Sequence, residues 1–311
     1  MSQRTHRSRT APFVLLAGLI LAACGPTETP VRLQVEVGRV LVYDLTQRDE
    51  FPGPDNPAVE VEARIRLTCT EFAPEGGALY DVVVERLKVS SPERVGLSLD
   101  TSTPETEPGD KVGAEELVRG LLGIKAQLQL SRTGRPQDIR SRPELIDPIK
   151  AWAREDPGKK AFLGGMLAKL VDGSVIAGTS TDMLANLMPE DAGAPGGSTW
   201  SAHVPAAPEA LGVSLSALAV KLTRPAPNRA VLVGTATLTP SGGAGGKVIG
   251  ESEGGLQSGS LEVSGELDTA RGILRRVQLV NTMTLLDPSG SGRTAVTTQT
   301  RTLVLVEDAA K

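Results

Sequence analysis

Residues able to do chemistry are few in this sequence, and their spacing gathers no set of them. There are two histidines, His6 and His203. His203 follows Trp200 and Ala202 on a strand-like run, with no second ligand and no nucleophile near it in sequence. A histidine so placed reads as a surface residue. The segment Ser241-Gly-Gly-Ala-Gly-Gly-Lys247-Val248 has the glycine content and lysine of a phosphate-binding loop. It lacks the leading glycine, and a valine stands where Mg²⁺ binding needs Ser or Thr; no helical pattern follows, so a hairpin loop is expected. Glu115 and Glu116 lie on the polar side of a short helical stripe and read as a solvated face. No Gly-x-Ser-x-Gly elbow is present. With aromatics at 3%, stacking platforms for bases or sugars are not expected. These residues give no catalytic group, no metal site and no cofactor, so the chain is not read as an enzyme.

The two cysteines differ in setting. Arg4, Arg7 and Arg9 precede an uncharged apolar run from Pro12 to Ala23. That run is too short to span a bilayer, which takes about 20 residues, and it fits a secretory signal. It ends in Leu21-Ala22-Ala23-Cys24-Gly25. Leucine and two small residues before a cysteine resemble the lipobox of bacterial lipoproteins. The resemblance implies cleavage before Cys24, which then carries a diacylglyceryl thioether and an amide-linked acyl chain. One acyl chain holds a protein to a membrane only marginally, whereas two or more anchor it stably. Glycine rather than aspartate after the cysteine implies, by the same resemblance, the outer membrane. Residues 1–23 are thus expected to be a lipoprotein signal peptide and residues 24–30 a tether.

Losing residues 1–23 removes three arginines and no acid, taking the net charge from -4 to -7. A mildly acidic surface disfavours nucleic acid and anionic lipid as electrostatic partners. Cys69 would then be the one thiol left, so no intramolecular disulfide can form. It closes the alternation Val61, Ala63, Ile65, Leu67, Cys69, which makes it a small core residue and not a nucleophile.

The elements that position these residues read mainly as strands. The chain has 34 glycines and 22 prolines, which favours turns and short extended runs. Val31, Leu33, Val35 and Val37 alternate, and the phase then changes near Gly38 to Leu41, Tyr43 and Leu45, as at a bulge. Residues 59–71 and 78–90 are two strands joined by Ala73-Pro-Glu-Gly-Gly77. Residues 101–111 form a polar loop, and Leu117, Val118, Leu121 and Leu122 a short helical stripe. Ile124, Ala126, Leu128 and Leu130 return to alternation. Residues 141–189 change character: Phe162, Leu163, Met166, Leu167 and Leu170 follow the helical period, as do Met183, Leu184, Leu187 and Met188. From residue 190 strands resume, at 198–204, 212–224 and 229–239, and a final strand covers 294–306. Residues 31–140 and 190–311 share an element order, each finishing in strand, turn, glycine and strand (Leu130 to Gly134, Asp268 to Gly272).

Pro189, Gly197-Ser-Thr-Trp200 and Gly265-Glu-Leu-Asp-Thr-Ala-Arg-Gly272 resemble motifs of a group of secreted, β-rich bacterial lipoproteins. The likeness spans roughly residues 185–306 and implies architecture without an activity. The expected fold is α+β and predominantly antiparallel: a bent sheet, sandwich or half-barrel from two similar halves, 31–140 and 190–311, with a short helical insert at 141–189. The expected role is non-catalytic, holding a lipid or another apolar ligand at the membrane. Phe162, Met166, Leu170, Met183 and Leu187 would form a lid, since methionine suits adaptable apolar surfaces. A structural or protein-interaction lipoprotein of the cell envelope, without a small ligand, is the alternative.

Overall fold

The computed structural model describes residues 31–32, 36–50, 58–73, 77–91, 97–102, 122, 125–132, 136–140, 187–188, 194–202, 213–240, 256–286 and 294–309. The expected signal peptide and tether and residues 141–186 lie outside them, as do Leu117, Val118 and Leu121 of the first expected helical stripe and Phe162 to Leu184 of the later ones. The described elements are all strands: β1 (Val40–Glu50), β2 (Val59–Phe72), β3 (Ala78–Ser91), β4 (Leu97–Asp100), β5 (Lys125–Leu130), β6 (Pro136–Arg140), β7 (Thr199–Ala202), β8 (Val213–Leu215), β9 (Leu218–Ala226), β10 (Arg229–Pro240), β11 (Leu256–Asp268), β12 (Ile273–Leu286) and β13 (Thr294–Ala309).

They make one antiparallel sheet in the order β6-β5-β3-β2-β1-β13-β12-β11-β10-β9-β7, with β4 beside β3 and β8 beside β10. Each half is a meander, as short turns between alternating strands dictate. The long-range step is in the middle, where the first strand pairs with the last from Val40↔Ala309 to Glu50↔Thr298. Among the described residues β6 and β7 are not paired to each other, so the sheet is open.

Period-two patterning gives the sheet one apolar face. Leu45 of β1 lies opposite Leu303 of β13, which lies opposite Val277 of β12, and all three are buried. The same face carries Ala63, Ile65 and Leu67 of β2, Leu218, Val220 and Leu222 of β9, and Val263 of β11. The opposite face is wet and charged, with ion pairs between facing residues: Asp44 with Arg64 at 2.8 Å, Arg48 with Glu60 at 3.1 Å and Glu62 with Lys88 at 2.8 Å. Exposed pairs of this kind contribute about 0–1 kcal/mol each, so they set register more than stability.

Gly38 is not a bulge inside a continuous strand. It has φ +89°, and Arg39 N donates to Glu36 O at 3.0 Å, closing a turn that needs a left-handed third residue. The bulge comes later, between Val42 and Tyr43. The same arrangement recurs at Gly197, also φ +89°, where Ser198 N donates to Pro195 O at 3.1 Å. Beyond each turn the glycine N–H and the next residue's carbonyl pair with one partner residue: Gly38 and Arg39 with Cys69, Gly197 and Ser198 with Leu222. The run expected at 212–224 is broken into β8 and β9, both of which pair with β10.

Candidate functional site

The apolar face curls tightly at the end where the hairpin turns are short. A small cavity of about 40 Å³ there is lined by Leu130 of β5, Tyr80 of β3, Tyr43 of β1, Leu274 of β12, Leu267 of β11 and Met188. In sheet order β5 and β11 stand six strands apart. A flat sheet would separate them by roughly 29 Å at 4.8 Å per strand. Residues this far apart share one small cavity only because the sheet bends, with its apolar side inward. Arg32, exposed, is the one charged side chain among the described lining residues.

Two phenols stand in this wall. Tyr43 Oη donates to Leu274 O at 3.0 Å, across the intervening β13. Burial pushes the Tyr43 and Tyr80 phenols well above their ordinary value, so both stay neutral. The Cys69 thiol is buried beside them, 3.9 Å from Glu71 O, and burial pushes its pKa up as well. A thiol kept protonated is a poor nucleophile, in keeping with a core role.

Beside the cavity an ion pair ties the first strand to the last. Arg39 Nε and Nη2 donate to Asp308 Oδ1 and Oδ2 at 2.7 and 2.9 Å, and Arg39 Nη1 donates to Arg271 O at 3.1 Å. Arg271 Nη2 also approaches Asp308 Oδ2, at 3.3 Å. The Asp308 carboxyl is held below the usual carboxylate range by the Arg39 hydrogen bonds, which outweigh burial. For Asp268 burial acts upward most strongly, yet Arg275 Nη2 at 2.6 Å and Arg271 N at 3.0 Å bring the net shift down. This two-point fork ties the residue leading into β1 to neighbouring β13 and aims no group at the cavity for reaction.

Of the five residues expected to form a lid, the structure describes Leu187. It is buried in the main core, and a Cβ at Gly265 would meet its Cδ1 at 3.7 Å, so it sits directly on the β11 backbone. Its neighbour Met188 is buried and lines the cavity. Phe162, Met166, Leu170 and Met183 lie outside the described residues, as do Cys24, His203, Glu115, Glu116 and the 241–248 loop. Sequence reasoning passed over Arg39, Asp308, Tyr43 and Tyr80. An arginine straight after a turn glycine and an aspartate near the chain's end carry no sequence sign of meeting.

No His/Cys/Asp/Glu cluster able to hold a metal ion occurs among the described residues, and no helix there is long and apolar enough to cross a membrane. No protein-family model matches the chain, and no curated protein matches it either. Among solved structures, DynF from the dynemicin biosynthesis pathway of Micromonospora chersina aligns over 97% of this chain and 92% of its own, at 9% identity and a TM-score of 0.20. Pseudomonas aeruginosa OpdQ aligns over 87% and 98%, at 6% identity and a TM-score of 0.17. Similarity at that level bears on neither fold nor function.

Proposed function

We propose that this protein is a lipid-anchored component of the bacterial cell envelope, held in the outer membrane through acylated Cys24, that binds an apolar ligand without chemical change. The observation that carries the proposal is the curled, open sheet with its apolar face inward. An open, bent sheet leaves its apolar face to be covered by something other than a second sheet, such as a chain-like ligand, whereas a sandwich closes that face against another sheet. Buried Leu187 and Met188, at the end of the 141–189 segment, support that segment as a helical cover for the same face. In this reading Phe162, Met166, Leu170 and Met183 line its underside. The matching turns at Gly38 and Gly197 support two similar halves, 31–140 and 190–311, joined by the cover. A structural or protein-interaction role draws support from the small volume of the described cavity, about 40 Å³ against the several hundred that ligand pockets span.

Photolabelling separates the two readings. Full-length protein in phosphatidylcholine nanodiscs is irradiated with a diazirine fatty acid, and labelled peptides are mapped. Saturable labelling of concave-face peptides, such as the one holding Leu261 to Leu267, and its loss on adding palmitate, is expected. Labelling confined to the membrane-proximal first 30 residues, or unaffected by palmitate, would refute ligand binding by the sheet.

A further inference from the structure

The inward face of the sheet is not apolar throughout. Beyond Leu45 the inward positions of β1 are Gln47 and Asp49, and before Leu303 those of β13 are Thr297, Gln299 and Arg301. Beyond Leu279, β12 places Asn281 inward. Register assembles them: Asp49 lies opposite Gln299, which lies opposite Asn281, in a row across three neighbouring strands. The next row is Gln47, Arg301 and Leu279, and Thr297 faces Met283 on the other side. Strict alternation puts all six on the face of Leu45, Leu303 and Val277. A polar ledge thus sits at the centre of the sheet, continuous with the apolar floor.

The ledge has unmet hydrogen-bonding capacity. Asp49 Oδ1, Asn281 Oδ1 and Thr297 Oγ1 are shut off from solvent and have no hydrogen-bond partner among the described residues. Thr297 as a whole is 8% exposed. Gln47 Nε2 donates to Asp49 Oδ2 at 2.9 Å, which leaves the other carboxylate oxygen open. Buried polar groups in folded proteins are nearly always paired, and a cluster of unpaired ones calls for a missing partner. Two of the three atoms can only accept and the third is a hydroxyl, while Arg301 Nε on the same ledge is a buried donor, so a hydroxyl, which both donates and accepts, suits the set. The ledge also holds one carboxylate, Asp49, and one guanidinium, Arg301, which makes it neutral overall and unsuited to a singly charged group.

We propose that this ledge binds the neutral, hydroxyl-bearing head group of an amphiphile whose chain lies along the apolar floor toward Tyr43. The inference rests on the reading that the concave face takes an apolar chain. Asp49 and Tyr43 are six residues apart on β1, about 20 Å at 3.4 Å per residue, which gives the chain a run of considerable length.

Native mass spectrometry of the full chain in a mild detergent, titrated separately with 1-palmitoylglycerol, palmitate and methyl palmitate, tests it. The wild type is expected to bind 1-palmitoylglycerol about tenfold more tightly than methyl palmitate, with palmitate no better than the ester. Thr297→Val and Asp49→Asn, both nearly isosteric, are each expected to reduce that preference about three- to tenfold. Equal binding of the three probes by the wild type, or a preference for palmitate, overturns the head-group assignment while leaving chain binding intact. So does a preference that survives both substitutions. Binding of none of the three removes the apolar-ligand reading together with the ledge's role.

Discussion

Replacing Arg39 by leucine is expected to destabilise the protein by about 3 kcal/mol or more, lowering its melting temperature on the order of 6–10 °C. The reason is what the substitution leaves behind. Asp308 has a side chain 7% exposed, and Arg39 supplies the fork that compensates its burial. Without Arg39 the carboxylate keeps only Arg271 at 3.3 Å, and β1 loses its side-chain tie to β13 at the sheet's centre. The double replacement Arg39→Leu with Asp308→Leu is expected to recover most of the loss, because buried ion pairs add little over apolar packing of similar volume. The dependence on pH has a definite sign. In the wild type the folded Asp308 pKa is depressed, so its contribution is present above the unfolded value, near 3.9, and lost as pH falls through the folded one. In Arg39→Leu that depression is largely gone, so the deficit is largest near neutral pH and shrinks below about pH 4. Thermal melts of both proteins at neutral and acid pH measure it. A deficit below 1 kcal/mol at neutral pH, or one that grows on acidification, would contradict the role given to the pair.

Cys24→Ala is expected to abolish anchoring through acyl chains. Each buried methylene contributes about 0.8 kcal/mol, so several acyl chains make release negligible and their loss is all-or-none. The variant should accumulate as a precursor that keeps residues 1–23 and lacks acyl mass, read by intact mass spectrometry of the membrane and soluble fractions. A variant still cleaved before position 24, and still partitioning into detergent as the wild type does, would mean that Cys24 is not the modified residue.

The hairpins were legible because alternation and turn residues are local. Val59–Phe72 and Ala78–Ser91 fall within one residue of the runs read at 59–71 and 78–90, and Asp268 to Gly272 is a turn as read. The union of β1 with β13 was not legible. Arg39 and Asp308 are 269 residues apart, and a strand's sequence says which face is buried without naming its neighbour. The final strand, read at 294–306 without a partner, proves to be the seam of the sheet. The ledge was hidden for a related reason. Gln47, Asp49, Gln299 and Arg301 are the residue types of a solvated face, and only their parity with Leu45 and Leu303 assigns them inward. Polar residues at inward positions are the sequence signal that could have found it. The split between β8 and β9 follows from pairing with β10 and has no local cause in residues 212–224.

Whether the concave face is occupied decides the functional account most directly. The measurement is native mass spectrometry, with solvent extraction of the same sample, on full-length protein purified from its host's membranes in mild detergent. The account expects a sub-stoichiometric to equimolar population carrying one additional non-covalent amphiphile, with a defined mass beyond the acyl groups on Cys24. That species should be recovered in the extract and exchanged by added 1-palmitoylglycerol. A single population at the mass of the acylated chain, with no extractable amphiphile and no species formed on adding the lipid, would contradict it.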